Sequence, residues 1–146
     1  MILTFEKANA DDIAPVFDFC KEIIDKYEDL QNIDYERVLA WVRKKISDNI
    51  DEYRRVLADG ALAGYYRTCF ENGKTELDDL YILPKHQRKG IGTAVIEKCC
   101  AESELPVFLY VFIRNTEAVK LYKRLGFEVV ETVRDSRYIM QRNKIK

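Results

Sequence analysis

Residues 77–113 leave the fold little freedom. An apolar, strand-like run at 77–83 leads through Pro84, Lys85, His86, Gln87, Arg88, Lys89, Gly90, Ile91, Gly92 and Thr93 into a helix-like run at 94–104. A nearly all-apolar stretch at 106–113 follows. Such a continuous run reads as a central strand covered on both faces, and a strand–helix–strand crossover makes its two strands parallel. The turn before the helix has a chemistry of its own. Two glycines at a helix start leave backbone N–H groups unpaired and unscreened, and the positive end of the helix dipole adds to them, so the site suits phosphate oxygens. Gly90 and Gly92 permit close approach to the backbone, and Lys85, Arg88 and Lys89 bring positive charge. These residues alone leave one alternative open, an ordinary strand-to-helix turn in a basic surface loop.

Two familiar phosphate loops do not fit. A Walker A loop needs Lys-Ser/Thr after its last glycine, whereas Thr93-Ala94 follow Gly92. A Rossmann fingerprint needs a third glycine where Val95 stands, and it belongs to an early strand–helix–strand unit, whereas 89 residues precede Gly90. The pattern that fits is Gln-x-x-Gly-x-Gly, with Gln87, Gly90 and Gly92, after a strand that ends Leu80-Tyr81-Ile82-Leu83-Pro84.

The 146 residues read as one domain, 1–146, long enough to bury its own core. A hydrophobic share of 47% with 34% charged residues is that of a globular chain. Lys+Arg 24 against Asp+Glu 25 offers no excess of positive charge for nucleic acid or a membrane surface. No apolar run approaches the ~20 residues of a membrane span, and the first residues lack the pattern of a signal peptide. The cysteines, Cys20, Cys69, Cys99 and Cys100, form no C-x-x-C, and His86 is the sole histidine, so no metal site is expected. Cys99 and Cys100 point about 100° apart on a helix, which disfavours a disulfide. Free thiols and a cytoplasmic location are the expectation.

From the N-terminus, residues 2–5 read as a strand, and residues 9–12 carry helix-capping chemistry. Ile13, Val16, Phe17, Cys20, Ile23, Ile24 and Tyr27 recur at helical spacing. A polar break at 28–34 precedes a second helix that ends near Asn49. From Tyr53 the period becomes that of strands, with hairpin signals at Asp59-Gly60 and Asn72-Gly73. In the strand at 74–83, Leu77, Leu80 and Ile82 cannot share one face, so a β-bulge is expected near Asp78-Asp79-Leu80. Asn115 and Thr116 cap a helix that Gly126 closes, and 127–133 and 137–141 pair as a final hairpin before a polar tail at 143–146. The expected architecture is α/β, a mixed sheet with helices on both faces, in the order β-α-α-β-β-β-α-β-α-β-β.

The loop, Asn115, the Tyr122-x-x-x-Gly126-Phe127 run and this element order together resemble the GCN5-related N-acetyltransferase (GNAT) family. The likeness is most specific over 76–127. It implies acetyl-CoA as co-substrate, with the backbone of Leu80, Tyr81 and Ile82 on the pantetheine arm. It also implies Gln87, Arg88, Lys89, Gly90, Ile91, Gly92 and Thr93 around the pyrophosphate and Asn115 on the arm. Bottom-up, an amide-bearing arm pairs with an open strand edge as an added strand does. For Asn115 a plain helix cap is the competing reading. Tyr122 stands two helical turns from Asn115, and a phenol beside the sulfur protonates a departing thiolate. The resemblance gives Tyr122 that role as general acid, against the alternative of a core aromatic.

An acceptor amine must lose a proton before it attacks. Glu76 takes the place where some members of the resembled family put a general base, with Asp78 and Asp79 nearby. Solvated carboxylates at a strand start are the plain alternative. Relatives that modify protein N-termini carry a glutamate five residues before the asparagine, and here that residue is Tyr110. His86 reads as solvent-facing or close to the phosphates. No cysteine sits in a motif for a covalent acyl-enzyme. The implied activity is therefore N-acetyl transfer from acetyl-CoA to a primary amine by direct transfer in a ternary complex. The rival is a catalytically silent acyl-CoA-binding regulatory module. The acceptor is a small-molecule or peptide amine, and Glu28, Asp29, Asp34, Glu76, Asp78 and Asp79 point to a cationic or lysine-like one. The oligomeric state is not legible, with a homodimer among the options.

Overall fold

A computed structural model describes residues 1–144. Along the chain run β1 (Leu3–Lys7), α1 (Ile13–Tyr27), α2 (Tyr35–Asp48), β2 (Tyr53–Ala58), β3 (Ala61–Glu71), β4 (Lys74–Ile82), α3 (Ile91–Glu102), β5 (Val107–Phe112), α4 (Thr116–Arg124), β6 (Glu128–Val133) and β7 (Arg137–Arg142). This is the expected order. The strands form one seven-stranded sheet, β1-β2-β3-β4-β5-β7-β6. Its β4/β5 pair is parallel, while β1/β2, β2/β3, β5/β7 and β6/β7 are antiparallel. The sheet is therefore mixed, as the crossover at 77–113 requires. Among the described residues no helix is long and apolar enough to cross a membrane.

The chain divides into two compact units. The first comprises Met1–Arg67 with Asp79–Lys85. Its core is built from Val16, Phe17, Phe19, Cys20 and Ile24 of α1, Val42 and Ile46 of α2, and Tyr53, Val56, Ala63, Tyr65 and Tyr66 of the strands. One carboxylate lies within it. Asp12, 1% exposed, accepts from the Tyr65 hydroxyl at 2.8 Å, from Arg55 Nε at 3.0 Å and from the Asn9 amide at 2.9 Å. Asn9 and Asp12 complete a reciprocal capping box at the entry to α1. A buried charge is tolerable on such terms, paired and hydrogen-bonded.

The second unit comprises Thr68–Asp78 and the chain from His86 to the end of the described residues. Ile91, Val95, Ile96, Cys99 and Cys100 of α3 join Val107, Leu109, Val111, Phe127 and Met140 in its core. Thr75 and Ser103 share a 2.8 Å hydroxyl bond where β4 meets the end of α3. None of the four cysteines is in a disulfide, and burial pushes the Cys99 thiol up to about 12, which keeps it protonated and inert. Of the polar tail, Lys144 donates to the Cys100 carbonyl at 3.2 Å, a cation at a helix C-terminus, while Ile145 and Lys146 lie outside the described residues.

Three differences from the sequence reading have local causes. The first strand starts and ends later, at Leu3–Lys7, because its register is set by pairing with 54–58. α3 begins at Ile91, not at residue 94, because Gly90 at φ 80° is already its N-cap, which places Gly92 and Thr93 in the first helical turn. The irregularity anticipated in β4 is a left-handed residue, Asp79 at φ 52°. The registered pairs of β4 with β5 are Thr75–Val107 and Glu76–Phe108.

At Gly64, inside β3, the backbone packs closely on a neighbouring segment. A Cβ there would meet the Tyr81 carbonyl oxygen at 2.1 Å and the Ile82 Cα at 3.1 Å. A glycine within a strand commonly marks such close backbone approach. Gly64→Ala is therefore expected to destabilise the protein by about 1–3 kcal/mol through overpacking, read by urea unfolding. Unchanged stability would mean that the 81–82 backbone moves aside freely.

Candidate functional site

The first unit ends in a single helical turn, Pro84–His86, whose last residue begins the second unit. From there the turn into α3 reverses the backbone, with Arg88 at φ 64° and Gly90 at φ 80°. Ala94 N–H donates to the Gly90 carbonyl at 3.0 Å, so the amides of 91–93 lie ahead of the first helical bond. The site directly over Gly90 is open, since a Cβ there would find nothing within 4 Å, and glycine is required for its φ. Gln87, Arg88 and Lys89 are exposed. Ile91 is 1% exposed, so its side chain belongs to the core and only its backbone faces the turn. His86 is not simply solvent-facing: its ring is partly covered, and Nε2 is buried with no hydrogen-bond partner among the described residues.

In the first unit, Leu80, Tyr81 and Ile82 are half-buried. The Tyr81 ring stacks on Phe19, with centroids 4.5 Å apart and planes 9° apart, and its hydroxyl reaches Glu22 at 3.5 Å. Burial first, then the Glu22 charge, raises the Tyr81 pKa. Leu83 N–H donates to the Ala63 carbonyl at 2.7 Å. Asp79 is not a solvated carboxylate: Oδ2 accepts from the Tyr53 hydroxyl at 2.6 Å and from Lys45 Nζ at 3.0 Å. The carboxylates of the polar break also have local work. Glu28 accepts from the Asp29 amide at 2.9 Å, Asp29 accepts from the Asn32 amide side chain, and Asp34 caps α2 through the Arg37 amide at 3.3 Å.

Glu76 belongs to the second unit and, contrary to the picture of a solvated carboxylate at a strand start, is 9% exposed, with Cys69 Sγ donating to Oε1 at 3.6 Å. Burial, then Glu76 and Glu71, raises the Tyr110 pKa, and Arg137 stacks over the Tyr110 ring at 4.8 Å. The strand is regular from Lys74 until Asp79 turns left-handed, so Glu76 and Asp78 share a face.

Asn115 is the N-cap of α4, its side chain accepting from the Ala118 amide at 3.3 Å, a long bond. Tyr122 packs edge-on to Phe127 at 5.9 Å, and burial pushes its phenol up to about 12. The Tyr122 residue as a whole is half-buried. The sequence reading missed Phe19, Lys45, Tyr53 and Gly64 as supports of the 79–83 segment. Only Gly64 carried a signal, as a glycine inside a strand pattern.

The profile of the acetyltransferase (GNAT) family matches residues 17–127. The probable N-acetyltransferase san of Drosophila melanogaster is 34% identical over 120 residues, an alignment that covers 69% of this chain and 65% of that protein. An N-alpha-acetyltransferase of Sulfurisphaera tokodaii is 32% identical over 93 residues, covering 52% of this chain and 56% of that one. With a further archaeal relative, the chain spans from 28% to 65% of the length of the curated relatives it matches. Among solved structures, the PaiA N-acetyltransferase of Thermoplasma acidophilum in complex with coenzyme A aligns with a TM-score of 0.73 at 21% identity, covering 99% of this chain and 100% of that one, and speaks for the fold. With more than half of its length matched to the family profile on the expected order of elements, the chain belongs to the acetyltransferase (GNAT) family.

Proposed function

We propose that the protein is an N-acetyltransferase that moves an acetyl group from acetyl-CoA to a primary amine by direct transfer in a ternary complex. The observation that carries the proposal is the turn into α3, where an open left-handed Gly90 precedes unbonded amides and exposed Arg88 and Lys89. These donors fit a pyrophosphate. In this reading the backbone of 87–93 holds the pyrophosphate, the backbone of Leu80, Tyr81 and Ile82 holds the pantetheine arm, and Asn115 contacts the arm when its weak cap bond yields. The CoA complex of the Thermoplasma structure supports the choice of ligand.

The co-substrate supplies an activated acyl group on a thiol of low basicity. Tyr122 holds the proton that the leaving sulfur takes up, and solvent restores it as the acceptor nitrogen sheds its second proton to solvent on forming the amide. Its raised pKa keeps the phenol protonated across the working range, while leaving it a weaker acid than the thiol it protonates. Glu76 takes the proton that the acceptor ammonium gives up. The acceptor is a cationic or lysine-like amine, or a peptide α-amine, which the name of the Sulfurisphaera relative adds to the candidates despite Tyr110. Four cysteines outside any disulfide support action in a reducing compartment, the cytoplasm.

Gly90→Val combined with Gly92→Val is expected to abolish acetyl-CoA binding by calorimetry, and Arg88→Gln with Lys89→Gln to weaken it and flatten its salt dependence. Wild-type affinity in both folded variants would remove the loop from the site. Tyr122→Phe is expected to lower kcat by roughly 10²–10⁴-fold with little change in acetyl-CoA affinity. Because the folded-state pKa is about 12, wild-type kcat should show no falling limb from Tyr122 up to pH 10. An unchanged kcat in the variant, measured where chemistry limits, would return Tyr122 to the core. CoA binding without thiol release for any amine in a broad panel would favour the silent binding module.

A further inference from the structure

Asp79 has an unusual backbone for its place. It lies within β4, yet its φ of 52° is a conformation that residues bearing a Cβ rarely adopt, even though aspartate tolerates it better than most. Two side chains from separate elements converge on one of its carboxylate oxygens. The Tyr53 hydroxyl, on a ring that is 0% exposed at the start of β2, donates at 2.6 Å. Lys45 Nζ, from α2, donates at 3.0 Å, and its neighbours on the helix, Val42 and Ile46, are core residues. The side chains of Lys45 and Asp79 are 18% and 16% exposed, so water weakens this pair far less than it does a surface pair.

The segment that follows is fixed at its other end. Leu83 N–H is bonded to Ala63, the Tyr81 carbonyl occupies the space left by Gly64, and the Tyr81 ring lies flat on Phe19. Between these anchors, the φ of Asp79 sets the direction in which the backbone groups of 80–82 point. We propose that Lys45 and Tyr53 are positioning residues for the acyl-CoA arm, clamping Asp79 in its left-handed conformation and so presenting the Leu80–Ile82 backbone in the orientation the arm requires. The inference rests on the assignment of that backbone to the pantetheine arm. Neither residue touches the reacting atoms.

Wild-type protein is first titrated with acetyl-CoA by calorimetry; absence of binding overturns the functional reading, and this inference with it. Lys45→Met and Tyr53→Phe are then compared with wild type for acetyl-CoA affinity and, without ligand, for amide hydrogen exchange over 80–83, with α1 as the folded control. Each variant is expected to bind about tenfold more weakly and to exchange faster over 80–83 alone, the scale set by the cost of a left-handed non-glycine residue. Adding Asp79→Gly to Lys45→Met is expected to restore affinity, because glycine takes this φ without a clamp, whereas adding Asp79→Ala is not. A role in stability alone would leave acetyl-CoA affinity the same with glycine and with alanine. Wild-type affinity in both single variants overturns the inference while the functional reading stands, as does equal affinity of the glycine and alanine double variants. The double-variant comparison decides the matter by itself should Tyr53→Phe fail to fold.

Discussion

Gly90 must turn left-handed, and the first turn of α3 follows from that one requirement. At φ 80° it caps the helix without a side chain, so the amides of 91–93 are neither capped nor covered from its position. A serine or aspartate N-cap would be worth about 1 kcal/mol to the helix but would occupy the donors that a phosphate needs. The helix is instead secured by burial of Ile91, Val95, Ile96, Cys99 and Cys100. Stability and availability are thus separated: the apolar face holds the helix, and its N-terminus stays open for an anion.

Asp79 is a second left-handed residue with the opposite treatment. Its side chain is clamped by Lys45 and Tyr53, where Gly90 has none. The carboxylates sort the same way. Asp12, Asp34 and Asp79 are each committed to holding an element, by a capping box, a helix cap and an ion pair. Glu76 is different, since it is covered, bonded to a thiol and opposite Phe108 in the ladder.

Much of this architecture is legible in the residues because local chemistry and global fold agree. Asp59-Gly60 and Asn72-Gly73 adopt positive φ at both positions, as their hairpins require. Asn115 and Gly126 bound α4, and the odd step from Leu77 to Leu80 located the break at Asp79. The start of α3 was misplaced because two glycines read as turn, although the second is accommodated inside the helix. What the sequence hid depends on distant partners. Lys45 reads as one charge on a hydrated helix face, and only the fold brings it to Asp79, 34 residues away. Glu76 has solvation as one of its two readings, yet it is covered in the fold, and the His86 ring is partly covered as well.

In the proposed function one chain segment grips acetyl-CoA by its backbone. Titration of acetyl-CoA into ¹⁵N-labelled protein, followed by amide chemical shifts, tests it directly. The account predicts saturable shifts concentrated at 80–82 and 88–93, with the hairpin glycines Gly60 and Gly73 silent. Saturation with those two segments unmoved, or no binding at millimolar ligand, would contradict it.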